Sequence, residues 1–246
     1  VDYAWRWGIL LEPAPHGGGT YLGWVLDGLR TTLALSASAW VLALGLGTAV
    51  GVLRTLPSRA ARAAAAAWVE LFRNVPLLVQ LFVWYFVAPE VVPARLGAWM
   101  KGQDPVLQQL LAGTLCLGTF TSARIAEQVR AGIEALARGQ RAAALALGMT
   151  LPQAYRHVLL PMAFRIVVPP LGSEALNLVK NSAVASTLGL LELAAMGRQL
   201  VDYTAQPYES FLAVTLAYLA VNGLVLLGVR ALERRARVPG FLGGAR

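Results

Sequence analysis

The segment GQRAAALALGMTLPQAYRHVLLP, residues 139–161, is rich in alanine and leucine, yet Arg141, Gly148, Pro152 and Arg156 interrupt it. A membrane span needs roughly 20 mostly apolar residues in a row, so this stretch reads as a folded loop. Gln140 to Leu147 are strong helix formers, and Gly148 stands where a helix stops. Thr150 and Gln153 then spell a T-x-x-Q capping box, with Pro152 acceptable in the first turn. The spacing predicts a helix, a tight turn and a second helix, with Pro161 at the entry to the next apolar run. Ala142, Ala143 and Ala144 make the first helix narrow, so another surface can approach its backbone.

The rest of the chain says where that loop lies. Of 246 residues, 57% are apolar and only 14% are charged, against about a quarter charged in an ordinary soluble domain. Mean hydropathy is +0.58. Five apolar runs fit membrane spans: Thr31–Leu53, Ala63–Val87, Leu107–Ala126, Met162–Val179 and Phe211–Val229. The first contains Gly47 and Gly51, a pair suited to close helix contact. Pro89 and Pro93 are expected to end the second. The apolar stretch 183–200 carries Glu192 and Arg198 and reads as re-entrant or interfacial. Tyr3, Trp5 and Trp7 resemble interfacial anchors, and the N-terminus lacks the pattern of a cleaved secretory signal.

Lysine and arginine mark the cytoplasmic side. One set of loops holds Arg54, Arg59, Arg62, Arg124, Arg130, Arg138, Arg141, Arg156, Arg165 and the cluster from Arg230 to Arg246, while the other side holds Arg6, Arg95, Lys101 and Arg198. The N-terminus is therefore expected outside and the C-terminus inside, with residues 127–160 as the largest cytoplasmic loop. The net charge of +8 is thereby read as membrane topology rather than as nucleic-acid binding. A DNA-reading helix-turn-helix does not suit a loop tethered between two spans. A plain connector does not need more than thirty structured residues.

Catalytic chemistry has little to draw on. Neither Lys101 nor Lys180 follows the glycine spacing of a phosphate-cradling loop, and no nucleophile has a paired base, so no catalytic residue is assigned. The single Cys116, with His16 and His157 far apart, gives no metal site, and no cofactor is expected. Charges at membrane depth are costly and mark function; Arg124, Glu127, Glu174 and Lys180 are such charges. Glu174, Asn177 and Asn181 share one helix face, with Lys180 near enough to reach toward it. Arg124, Glu174, Asn177 and Lys180 are the candidate substrate-pathway residues: cations for carboxylates, Glu174 for an ammonium. The plainer alternative pairs Arg124 with Glu127 at i, i+3. Arg73 and Pro76, near the start of the second run's apolar centre, are candidate gate residues, because proline removes a helix hydrogen bond and permits a bend.

The loop resembles the EAA loop of ABC importer permeases, written E-A-A, three residues, G, nine residues, I, one residue, L-P. Here it reads Ala142-Ala143-Ala144, Gly148, Val158 and Leu160-Pro161, with every spacing kept. Ala142 replaces the usual glutamate and Val158 the isoleucine, which removes one ionic contact the motif would offer. VELFRNVPLLVQLFVWYF (69–86), ARIAEQVRAGIEALARGQ (123–140) and NLVKNSAVAST (177–187) are similar to polar amino-acid permeases, and LGMTLPQAYRHVLLP with VVPPLGSEALNLVKNSAVASTLGL to glutamate/aspartate permeases in particular.

That resemblance implies an all-α membrane protein of about five spans with the type I ABC importer permease fold. It would comprise a short periplasmic segment (1–26), a transmembrane type-1 domain (27–232) and a basic cytoplasmic tail (233–246). The implied partners are a lipid bilayer, a second homologous permease subunit, a cytoplasmic ABC ATPase dimer and a periplasmic solute-binding protein, with no nucleic acid. The implied ATPase-coupling residues are Ala142, Ala143, Ala144, Gly148, Leu160 and Pro161. The implied activity is import of a polar amino acid, glutamate or aspartate first, glutamine or a basic one as the alternative. An ion-driven secondary transporter would show inverted internal repeats, and no convincing repeat is present; a membrane anchor without transport is the remaining alternative.

Overall fold

A computed structural model describes residues 3–15, 19–136 and 138–236. His16 and the basic tail from Arg237 onward lie outside the described residues. The helices are α1 (Tyr21–Leu53), α2 (Arg59–Asn74), α3 (Leu77–Val91), α4 (Ala94–Lys101), α5 (Pro105–Glu134), α6 (Arg138–Ala146), α7 (Leu151–Leu188), α8 (Leu193–Thr204) and α9 (Pro207–Ala236). No strand occurs among the described residues. α1, α7 and α9 are long and apolar enough to cross a membrane, and α2 with α3 would count as one further, broken span. At 33 residues, α1 is about 50 Å long, well beyond the roughly 30 Å of hydrocarbon.

Four expectations change. The second apolar run is not one helix from Ala63 to Val87: α2 is a separate amphipathic helix burying Ala65 and Val69, and α3 begins afresh after Pro76. Pro89 does not end α3, which continues to Val91, with Pro93 heading α4. The fourth span starts earlier than Met162, because the second helix of the loop runs without interruption into α7. α5, the third expected span, is 30 residues long but does not reach the hydropathy of the other spans. Gln108, Gln109, Thr114 and Thr119 dilute its apolar half.

Pro89 and Pro161 survive inside helices for a shared reason. Pro89 stands two residues past a π turn at Val83–Val87, and Pro161 two residues past another at Tyr155–Leu159. A proline ring clashes with the carbonyl four residues back. Widening the preceding turn, so that Ala88 and Leu160 donate five residues back to Val83 and Tyr155, moves that carbonyl aside.

Contacts divide the chain into two compact units. The first comprises Val1–Leu42, Val75–Thr119 and Asn177–Gly223. In it Tyr21, Trp24 and Val25 of α1 pack with Leu193, Met196 and Leu200 of α8 and Val214 of α9. Gly28 permits this approach, since a Cβ there would lie 3.1 Å from the Leu193 Cα. Ahead of α8, α7 tightens into a 3-10 turn at Ser182–Leu188 and Gly189 adopts φ +91°. At 12 residues, α8 is about 18 Å long, too short to cross. Its N-cap is Glu192, fully buried, accepting from Ala194 N–H at 3.0 Å, Ala195 N–H at 2.8 Å and the Tyr218 hydroxyl at 2.9 Å. Burial pushes the Glu192 carboxyl above its ordinary value, against the downward pull of those donors. The carboxylate of Glu209 likewise holds the N-terminal segment, accepting from the Tyr3 hydroxyl and from Arg6 N–H, with Trp5 and Trp7 left exposed.

The second unit comprises Ala43–Asn74, Phe120–Leu176 and Leu224–Arg246. Gly47 and Gly51 of α1 lie directly on α5: a Cβ at Gly51 would fall 2.8 Å from the Ala126 carbonyl oxygen and from Val129 Cβ. Val50, Ala65, Val69 and Ala126 form the neighbouring core, and Trp68 Nε1 donates to Ser122 Oγ at 3.1 Å. Gly51→Val is expected to lower stability by about 1–3 kcal/mol through overpacking, read as a lower unfolding midpoint of the purified protein in detergent. An unchanged midpoint would show that this contact is not tight.

Candidate functional site

The loop quoted at the outset folds as two capped helices. α6 ends in a left-handed cap: Gly148 has φ +83°, its N–H donates to the Leu145 carbonyl at 3.0 Å, and Met149 N–H donates to Ala144 at 3.2 Å. This pair of bonds satisfies the last carbonyls of the helix. Two residues on, the Gln153 side chain accepts from Thr150 N–H at 2.8 Å and closes the capping box that starts α7. The three alanines divide: Ala144 is buried, while Ala142 and Ala143 face outward. Beside them Leu147 is 81% exposed and Leu145 41%, an apolar edge on a narrow helix. Leu160 is half-buried and Pro161 exposed, beyond the π turn.

Next to the loop, in the same unit, the charges organise around Glu127. Its carboxylate is ion-paired with Arg54 of α1 and Arg130 of α5, the latter at 2.9 Å, and Arg73 of α2 lies 3.9 Å away. The i, i+3 pair of Arg124 with Glu127 is not formed. Arg124 instead lies over the Phe120 ring, 5.0 Å from its centroid. Glu174 is half-buried and accepts from Gln128 Nε2 at 3.2 Å. The second unit therefore brings together Arg124, Gln128 and Glu174, a cation, an amide and a carboxylate. Asn177 and Lys180 lie on the last turns of the Leu160–Asn181 segment, within the first unit; Asn177 is half-buried and Lys180 exposed. Pro76 sits at the N-cap of α3, so the bend expected there takes the form of a break between two helices.

Gln128 and Phe120 escaped the sequence reading, although each stands four residues from Arg124 on one helix face. Tyr155 escaped it too. It is 5% exposed, its hydroxyl donating to the Thr55 carbonyl at 3.0 Å. Among the described residues no group of three or more His, Cys, Asp or Glu is placed to hold a metal ion.

The sequence profile of the binding-protein-dependent transport system inner membrane component family matches residues 41–238. The chain belongs to this family. As such it is the membrane component of a transport system and not its ATPase. The permease is 54% identical over 241 residues to the glutamate/aspartate import permease protein GltJ of Escherichia coli K12, covering 98% of each chain. It is 37% identical over 210 residues to the probable glutamine ABC transporter permease protein GlnM of Bacillus subtilis, covering 85% of this chain and 92% of that one. Its fold matches a chain from the crystal structure of an amino acid ABC transporter with histidines at a TM-score of 0.71 and 28% identity, over 87% and 95% of the two chains.

Proposed function

We propose that this permease is the transmembrane subunit of an ABC importer that carries glutamate and aspartate into the cytoplasm by alternating access. The 54% identity with GltJ across 98% of both chains carries the substrate assignment. The lower identity with GlnM, 37%, leaves glutamine as the second reading. The N-terminus lies outside and the C-terminus inside, which puts the loop 139–161 on the cytoplasmic face. Residues 27–232 form the type-1 transmembrane domain. A solute-binding protein delivers the amino acid, a second homologous permease completes the path, and ATP is hydrolysed by an ATPase dimer docked on the loop. Ala142, Ala143, Leu147 and the capped turn at Gly148 form the docking face, with Leu160 and Pro161 leading into α7.

Arg124 is the carboxylate-binding cation of the path and Glu174 its ammonium-binding partner, with Gln128 holding Glu174 in place. Asn177 and Lys180 of the first unit are further substrate-path residues in their own right, and Arg73 and Pro76 are the gate residues. An acidic amino acid brings two carboxylates, so a charge-assisted hydrogen bond from Arg124 contributes about 1.5–3 kcal/mol. Arg124→Gln is therefore expected to lower glutamate uptake roughly tenfold or more, with the complex still assembled; Lys180→Ala is expected to weaken it as well. Unaltered uptake in either variant removes that residue from the path.

A further inference from the structure

The turn that closes the loop is tied to the charge cluster beside it. Tyr155 lies in the π turn of α7, and its hydroxyl reaches both the carbonyl of Thr55 and Thr55 Oγ1, each at 3.0 Å. Thr55 follows Arg54, which is ion-paired with Glu127. Glu127 also accepts from Arg130 at 2.9 and 3.1 Å and faces Arg73 at 3.9 Å. A continuous run of contacts thus leads from the end of the loop, through the end of α1, to α5 and the last turn of α2. All of it lies within the second unit.

Two features make this run able to switch. A π turn holds one residue more than an α turn, so its conversion rotates the preceding helix by about 100° and shifts it by about 1.5 Å. The buried Tyr155 phenol, fixed on Thr55, opposes that conversion. Glu127 has guanidinium groups on more than one side, so it can release Arg54 and remain neutralised by Arg130. Partner exchange then avoids the cost of stranding a partly buried carboxylate.

We propose that Tyr155 and Glu127 are positioning residues for coupling: displacement of the loop moves Thr55 and Arg54, and Glu127 exchanges Arg54 for Arg73. The inference rests on the reading of residues 139–161 as the ATPase-docking loop. It assigns Arg73 a role as the second partner of Glu127.

The test uses the complete transporter, with ATPase and binding protein, in proteoliposomes, and reads substrate accumulated per ATP hydrolysed. Tyr155→Phe removes one hydroxyl and is expected to lower that ratio about fivefold or more, with ATPase rate and thermal midpoint unchanged. Arg54→Gln is expected to do the same, Arg54→Lys to keep the ratio, and the Tyr155→Phe/Arg54→Gln double variant to be no worse than the worse single. An unchanged ratio in Tyr155→Phe, while Gly148→Val uncouples, overturns the relay and leaves the docking loop standing. Losses that multiply in the double variant also overturn it. If Gly148→Val does not uncouple either, the docking reading itself has failed.

Discussion

Gly148→Val is expected to remove most substrate uptake while the partner ATPase continues to turn over. Gly148 holds φ +83°, where an L side chain sets its Cβ against the backbone at a cost of about 1–2 kcal/mol, more for a β-branched residue. Apart from its own neighbouring backbone, no heavy atom stands within 4 Å of the place a Cβ would occupy, so the damage is conformational and not a collision with another segment. The left-handed cap that joins α6 to the Thr150 box opens, and the docking face loses its fixed angle to α7. Asparagine tolerates this backbone region better than other non-glycine residues. Gly148→Asn should therefore retain much of the activity, with Gly148→Ala between the two. Uptake and ATP hydrolysis measured together in membrane vesicles check the series. Equal uptake by valine and asparagine variants would show that the positive φ is not what matters.

The largest effect on stability is expected at Glu192. Glu192→Leu leaves the N–H groups of Ala194 and Ala195 and the Tyr218 hydroxyl without their buried acceptor. Losing an N-cap costs about 1 kcal/mol, and each buried unpaired donor about 1–3 kcal/mol more. The variant should unfold at a clearly lower temperature in detergent or fail to accumulate in the membrane. Glu192→Gln keeps one acceptor oxygen for these donors and should be milder than leucine. Leucine and glutamine variants of equal stability would mean that the capping bonds contribute little.

These two positions also show what the sequence could and could not disclose. Gly148 was legible because turn chemistry is local: a glycine after helix formers and a T-x-x-Q box have few other uses. The Gly47 and Gly51 pair was legible for the same reason, since absence of a Cβ is visible in the residue itself. Glu192 was not, because a charge in an apolar run reads as an obstacle to a span, while here it caps a short helix. A bend at Pro76 was legible in the proline, but that α2 would stand as a separate amphipathic helix was not, because its alanine-rich run reads as part of the following apolar stretch. The π turns ahead of Pro89 and Pro161 leave no mark beyond the prolines. In the site, the spacing of Arg124, Gln128 and Phe120 on one face was readable, but Glu174 beside Gln128 and Tyr155 on Thr55 are contacts between distant segments.

Ala142 acquires a clearer meaning in this setting. It lies exposed on α6, where the EAA motif would place a carboxylate, and its neighbours Ala143, Leu145 and Leu147 are apolar and exposed. A partner docked on this face as proposed would meet close apolar contact more than an ion pair. Attachment of the ATPase proposed to dock here is accordingly expected to be less sensitive to salt than a charged contact of the same size, read as binding of the ATPase to permease proteoliposomes across a salt series.

The most direct measurement is uptake of labelled glutamate into proteoliposomes holding the permease, its partner permease and the ATPase, with binding protein outside and ATP inside. Predicted is accumulation that requires ATP, needs no ion gradient, is competed by aspartate and exceeds glutamine uptake. Accumulation without ATP, or glutamine carried as well as glutamate, would contradict the account.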